Sequence, residues 1–209
     1  MKWQDHEPAF LLGLGLLLLL LSAFHTHDLF TWFLEILPIL IGVPLLIGTY
    51  TRFRLTPLLY RLIFAHAMIL MIGGHYTYAE VPLGYWAKDL FGFARNHYDR
   101  LGHFAQGFVP AILAREVLLR CSPLRDGKLM FFLVTAVCLA VSALYELFEW
   151  LMALTTGEAA EAFLGTQGVW DTQWDMFLAL IGAIMSQLLL ASIHSRQIAK
   201  LKQSASPSV

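Results

Sequence analysis

Apolar residues gather into six stretches, near 9–24, 29–50, 57–78, 101–119, 129–153 and 174–195, and the short segments between them hold much of the charge. Each stretch approaches the ~20 residues that carry a helix across a hydrocarbon layer. The pattern predicts an all-α fold, a polytopic transmembrane helical bundle of about six spans. Residues 1–209 form one transmembrane domain, ending in a short polar cytoplasmic tail at 196–209. The first stretch has the length of a signal-peptide core, but Ser22 to Asp28 makes a poor small-residue cleavage site, so it is expected to remain as a span. Pro38 and Pro44 should kink the second. The segment after the third carries Pro82, Gly84 and Gly92 with several aromatics, which suits a short element lying at the interface.

Composition agrees with this reading. Of 209 residues, 58% are hydrophobic and 14% charged, with a net charge of −1, and mean hydropathy is +0.64. The chain belongs in lipid, and it has no basic excess to attract nucleic acid. Cys121 and Cys138 fall at different depths, so no disulfide is expected.

Charge decides orientation. With the N-terminus inside, eleven of the fourteen Lys and Arg residues are cytoplasmic, and only Lys88, Arg95 and Arg100 fall outside. The excess of basic residues on cytoplasmic loops therefore predicts that both termini are cytoplasmic. Acids run the other way, eleven of fifteen lying outside or in the outer half of a span, together with His25, His27, His75, His97 and His103.

These outer polar groups have helical spacing. Asp99, His103, Gln106 and Pro110 form one stripe on the fourth span, and Ser142, Glu146 and Glu149 form another on the fifth. The two glutamates lie roughly 6 to 10 Å below the outer end, too deep to snorkel easily. Asp171 and Asp175 share a face at the start of the sixth span, His75 and Tyr78 share one at the end of the third, and Glu35 lies about two turns into the second. An ionisable group within hydrocarbon costs on the order of 2.5 to 3.5 kcal/mol, so such carboxylates must face inward and be compensated. Candidate compensators are Arg95, Arg100, protonated histidines, a divalent cation or carboxyls that keep their protons.

Mixed histidine and carboxylate ligands suit Zn, Mn or Fe, and carboxylates from facing helices build two-metal sites in bundles. The expected ligands are His75, His103, Glu146, Asp171 and Asp175, with Asp99 and Glu149 in catalytic roles. No H-E-x-x-H motif, G-x-S-x-G elbow or phosphate loop is present in the sequence. Other groups have plainer readings: His25, His27 and Asp28 as a hydrated turn, His66 as a packed mid-span histidine, and His6 and His194 as solvated cytoplasmic residues. Tyr85, Trp86, Trp150 and Trp170 read first as an aromatic belt.

Four segments resemble the bacterial inner-membrane YjdF-like family: Gly74 to Pro82, Asn96 to Phe104, Tyr145 to Trp150, and Gly165 to Gly168 with Trp170 to Asp175. In that family an acid often follows the Thr-Gln-Gly, where this chain has Val169. The resemblance implies a multi-pass inner-membrane protein and supplies no reaction. The residues suggest a metal-dependent, membrane-embedded enzyme acting on a lipid or lipid-linked substrate. Alternatives are a proton- or cation-coupled transporter, or a structural or assembly protein whose polar network only fixes packing. The inner halves of the spans show few polar groups besides His66, Thr135 and Ser186, which counts against a transport route. Oligomeric state is left open.

Overall fold

In the computed structural model, residues 3–157 and 169–205 are described. Their order is α1 (Trp3–Ser22), α2 (Leu29–Glu35), α3 (Leu37–Thr49), α4 (Pro57–Tyr76), a 3₁₀ turn (Tyr78–Glu80), α5 (Pro82–Phe91), α6 (Tyr98–Cys121), α7 (Lys128–Thr156) and α8 (Asp171–Ala205). Among the described residues there is no strand.

Pro57–Tyr76, Lys128–Thr156 and Asp171–Gln203 are long and apolar enough to cross a membrane, and α2 with α3 makes a fourth span if the bent pair is counted as one. The apolar part of α1, His6–Ser22, is shorter, and α6 is long but carries Asp99, Arg100, Arg115, Glu116 and Arg120. Cys121 is exposed, Cys138 buried, and both are free.

Local chemistry explains the boundaries. Asp28 caps α2 by accepting from the Thr31 backbone N–H at 2.6 Å. The helix then breaks at Ile36 with a 43° bend, because Pro38, near the start of α3, has no N–H to continue the ladder. Pro44 is accommodated inside α3. Thr56 caps α4, with Pro57 at its first position. At the far end Thr77 takes a φ of 61° and turns the chain sharply after Tyr76. Gly92 ends α5 in the left-handed conformation. On α5, Leu83, Trp86, Leu90 and Phe91 are exposed.

The most extensive pairing is between α6 and α8, which run in the same direction; α7 packs on both, α4 on α6, and α1 and α2 on α4. The α6–α8 contact is close because small residues face each other. A Cβ at Gly107 would collide with the Ala179 backbone, and one at Gly182 with the Phe104 carbonyl. Ala111, Ala179 and Ala183 are fully buried along the same seam. Without water to drive helices together, such close approach supplies the packing energy. Outward faces of α1, α3 and α7 are lined with exposed leucines and isoleucines.

The last helix has 35 residues and is about 52 Å long at 1.5 Å per residue, well beyond the ~30 Å hydrocarbon thickness.

Candidate functional site

The stripe expected on α6 lines a cavity of about 200 Å³, where Asp99, His103, Gln106 and Pro110 meet Glu35, His66, Tyr78, Tyr145, Glu149, Asp171 and Asp175. Groups from α2, α4, α6, α7 and α8 therefore converge on one hollow. Tyr78 works as a wedge: its ring lies against Gly73 of α4 and Gly102 of α6, and its hydroxyl faces the Glu35 carboxyl. Neither glycine could carry a side chain without displacing that ring.

His103 is the hub. Its Nδ1 lies 3.1 Å from the Gln106 carbonyl oxygen, which only accepts, so Nδ1 carries the proton there. Its Nε2 faces Asp175 Oδ1 at 3.6 Å, and Nδ1 has Glu146 Oε1 at 3.8 Å; neither is a hydrogen bond. Both carboxylates are buried, Asp175 at 6% and Glu146 at 8% exposure. Their Oδ1 and Oε1 atoms, with Asp99 Oδ1, are buried without a hydrogen-bond partner.

Arginines flank part of the cluster. Arg95 contacts Asp99 at 3.2 Å and Asp171 at 3.5 Å, while Arg100 lies 5.3 Å from the Trp174 ring centroid. Two overlapping groups have donor atoms within 4.8 Å of one another: His103, Glu146 and Asp175, and Asp99, Asp171 and Asp175. Above them, outside the helices, His97 is pushed down from the ordinary histidine value by burial and then by the charges of Arg100 and Arg95.

A second polar cluster lies at the other end of the same helices. Glu116, fully buried, accepts from the Thr56 N–H at 3.0 Å and hydroxyl at 2.7 Å, from Arg120 at 2.6 Å and from His194 at 2.9 Å. Arg115 donates to His194 Nδ1 at 3.0 Å and to Ser195 at 2.8 Å, and pairs with Asp126. Since arginine only donates, His194 must accept at Nδ1 and donate from Nε2 to Glu116. This network links the start of α4, the end of α6, the loop before α7 and the end of α8.

Sequence comparison places the chain among known proteins. The family described as predicted membrane protein DUF2238 matches residues 8–196. The chain belongs to that family. Inner membrane protein YjdF of Escherichia coli (strain K12) is 53% identical over 183 residues, covering 87% of this chain and 88% of that protein. No solved structure matches. As a DUF2238 member the chain is a membrane protein, and the inner membrane expected from its sequence is the one named for this relative.

Four of the five expected ligands, His103, Glu146, Asp171 and Asp175, come together with Asp99, and Glu149 lines the same cavity. His75 does not join them. Its Nδ1 donates to the Ser22 carbonyl at 2.9 Å, and its own carbonyl accepts from His27. The i, i+3 pairing of His75 with Tyr78 assumes a helix through 78, but α4 stops at Tyr76 and Thr77 sends Tyr78 the other way. His66, expected to be simply packed, lines the cavity one turn from Leu70. Its signal was the shared face of those two residues.

His194 corrects the expectation of a solvated histidine: it is fully buried, because α8 stays helical beyond the apolar stretch and packs that turn against α6. The expected scarcity of inner polar groups is corrected with it, since Arg115, Glu116, Gln187 and His194 are all buried there. The hydrated turn at 25–28 acquires a specific role, with the Asp28 carboxyl held below its ordinary value by the Thr31 N–H. Trp86, Trp150 and Trp170 are exposed, each at 60% or more. Glu158, Glu161 and Gly165 to Gly168 lie outside the described residues.

Proposed function

We propose that this chain is a six-span inner-membrane protein with both termini cytoplasmic. Its outer cavity binds a divalent metal ion, Zn, Mn or Fe, and acts through it on a lipid or lipid-linked substrate reached from the extracytoplasmic side. The six spans are α1, the bent α2–α3 pair, α4, α6, α7 and α8. The charged stripe of α6 does not prevent it from spanning, because it faces its neighbours.

The observation that carries the reading is the set of buried carboxylate oxygens left without partners around His103. A histidine whose Nδ1–H is already given to an amide oxygen presents Nε2 as a ligand, the usual arrangement at metal-bound imidazoles. Leaving charged oxygens unmatched in a low-dielectric bundle costs several kcal/mol, which a cation between them offsets. A bound ion would polarise a phosphoryl or carbonyl oxygen or activate a water. Asp99 and Glu149 at the cavity wall are the acid and base.

The transport alternative gains the inner cluster, but a route between the two clusters does not run along the α6–α8 seam. The α6–α8 seam between the two clusters is closed by backbone contact at Gly107 and Gly182 and by fully buried Ala111, Ala179 and Ala183. No water file fits between helices in such contact.

Elemental analysis of the full chain purified in detergent without chelator tests the reading. About one equivalent or more of a transition metal is expected, falling in Glu146→Gln, falling less in Glu149→Gln, whose carboxyl lines the cavity outside the donor set, and unchanged in His75→Ala. Less than a tenth of an equivalent in the unmodified protein would sink it. For topology, reporters after Val209 and near Ser122 should read cytoplasmic and one near Gly157 extracytoplasmic; opposite results at all three would overturn orientation and outward site together.

A further inference from the structure

We infer that the outer cavity holds two ions rather than one, bridged by Asp175, and that together with Arg100 they bind the phosphate ester of a lipid or lipid-linked substrate. This rests on the metal reading above and names its substrate class. The two donor groups are distinct in chemistry and share one residue: His103, Glu146 and Asp175 on one side, Asp99, Asp171 and Asp175 on the other. A carboxylate has two oxygens, and one shared between donor sets is the standard bridge of paired-ion sites, whose ions lie ~3.5 to 4 Å apart.

The acidic residues alone would be weak grounds. Two further observations point to ligands. Asp175 and Glu146 are both more than nine-tenths buried, and each has an oxygen aimed into its group with no partner. Arg100 Nε is likewise buried without a partner, while its guanidinium is steadied by the Trp174 ring. An unsatisfied guanidinium N–H is a donor for an anion, and phosphate takes charge-assisted hydrogen bonds of this kind. A phosphate held by the two cations would supply such an acceptor.

The two positions are not equivalent. The first offers imidazole nitrogen with carboxylate oxygen and suits Zn, Mn or Fe; the second offers oxygen only and suits Mg or Mn. Bonds of about 2.0 to 2.2 Å put ligand atoms of one ion at most ~4.4 Å apart, so each group, spread within 4.8 Å, closes by a few tenths of an ångström on loading. Arg95 already neutralises Asp99 and Asp171, which makes the oxygen-only position the weaker one.

The reaction this arrangement supports is hydrolysis. With Asp99 taken up as a ligand of the second ion, Glu149 would serve as both base and acid: a water held by the ions would give it one proton and bond through its oxygen to phosphorus. The bond from phosphorus to the lipid oxygen breaks, its electron pair stays on that oxygen, and the proton from Glu149 completes the alcohol. Water and phosphate ester become alcohol and phosphate, with no change of oxidation state.

The test uses the full chain in detergent, loaded with Mn²⁺, with ion content measured by mass spectrometry and coupling by electron paramagnetic resonance. Two ions per chain with an exchange-coupled signal are expected, the second binding at least tenfold more weakly than the first. His103→Ala should retain one uncoupled ion. Inorganic phosphate, titrated calorimetrically into the loaded protein, should bind, and Arg100→Gln should weaken it tenfold or more without changing ion content. One ion in the unmodified protein overturns the pair and leaves the single-metal reading standing; none overturns both. Two coupled ions without phosphate binding overturn the substrate class. Should Asp175→Asn fail to fold, the unmodified protein and His103→Ala still decide the matter.

Discussion

Replacing Gly107 or Gly182 with alanine should loosen the bundle and the outer site together. A Cβ at Gly107 meets the Ala179 backbone, and one at Gly182 meets the Phe104 carbonyl and, at 2.9 Å, the Phe108 nitrogen. Ordinary contact begins near 3.4 Å, and the obstruction is backbone rather than a side chain that can swing away. The two helices must part at their closest approach. Overpacking of this kind costs about 1 to 3 kcal/mol, and at roughly 2 to 4 °C per kcal/mol for a chain of this size the melting temperature should fall by about 2 to 12 °C. Both substitutions open the same seam, so the double variant should fall short of their sum. The His103–Asp175 approach of 3.6 Å lies one turn from Gly107 and should widen, which on the proposed metal reading lowers metal content. Gly13, Gly42 and Gly48 are the controls: a Cβ there meets nothing within 4 Å, and Gly→Ala in an open helix gains up to ~1 kcal/mol. Melting of detergent-purified variants followed by fluorescent size-exclusion chromatography reads all five. Gly107→Ala and Gly182→Ala both melting with the unmodified protein, to within about 1 °C, would refute the close seam.

Two more perturbations probe the polar ends. Glu116→Ala strips four hydrogen-bond donors of a buried acceptor and should cost about 3 to 5 kcal/mol, whereas His194→Ala, which leaves Thr56 and Arg120 on Glu116, should cost about 1 to 3 kcal/mol; equal stability of Glu116→Ala and the unmodified protein would show that the inner network contributes nothing. Asp28→Ala should cost about 0.5 to 2 kcal/mol at neutral pH through loss of the α2 cap. Because the folded state holds this carboxyl below its ordinary 3.8, its contribution is complete above that value and disappears as pH falls below it. The difference between the two proteins should therefore shrink from pH 7 to pH 3 in thermal melts, and a gap independent of pH would count against the cap.

Much of the outer site was legible because periodicity within one long helix survives folding. Asp99, His103 and Gln106 recur on one face of α6 and arrive together, as do Asp171 and Asp175 on α8. Contacts between helices are another matter. That His103 meets Asp175, or that Arg95 reaches Asp171, depends on the small-residue seam, whose glycines read individually as unremarkable. His75 was misplaced because it was paired with Tyr78, whose direction is set by the φ of 61° at Thr77; His75 itself lies nine residues after His66, on the opposite face of α4 from the cavity. His194 was misread because apolarity fades near residue 195 while helix formers continue; Gln197, Ala199, Lys200, Leu201 and Lys202 keep the backbone helical, and packing against α6 then decides burial.

The two polar clusters, one at each end of the same pair of helices, separate packing from function. At the inner end every buried charge is answered: Glu116 by Thr56, Arg120 and His194, and Arg115 by Asp126, His194 and Ser195. None of the side chains Thr56, Arg115, Glu116 and His194 has an unpartnered buried atom. Such a network stabilises an arrangement of helices and has no vacancy for a ligand. At the outer end Arg95 answers two carboxylates, while Asp99, Glu146 and Asp175 each keep an open buried oxygen and Arg100 an open N–H. If packing specificity were the only demand, the outer end would be expected to close its network as the inner end does, since the same helices supply both and arginine is available at each. Unmatched acceptors around one hollow, with an unmatched Arg100 donor beside Trp174, fit a cation and an anion arriving together, which is the composition of a metal-bound phosphate ester.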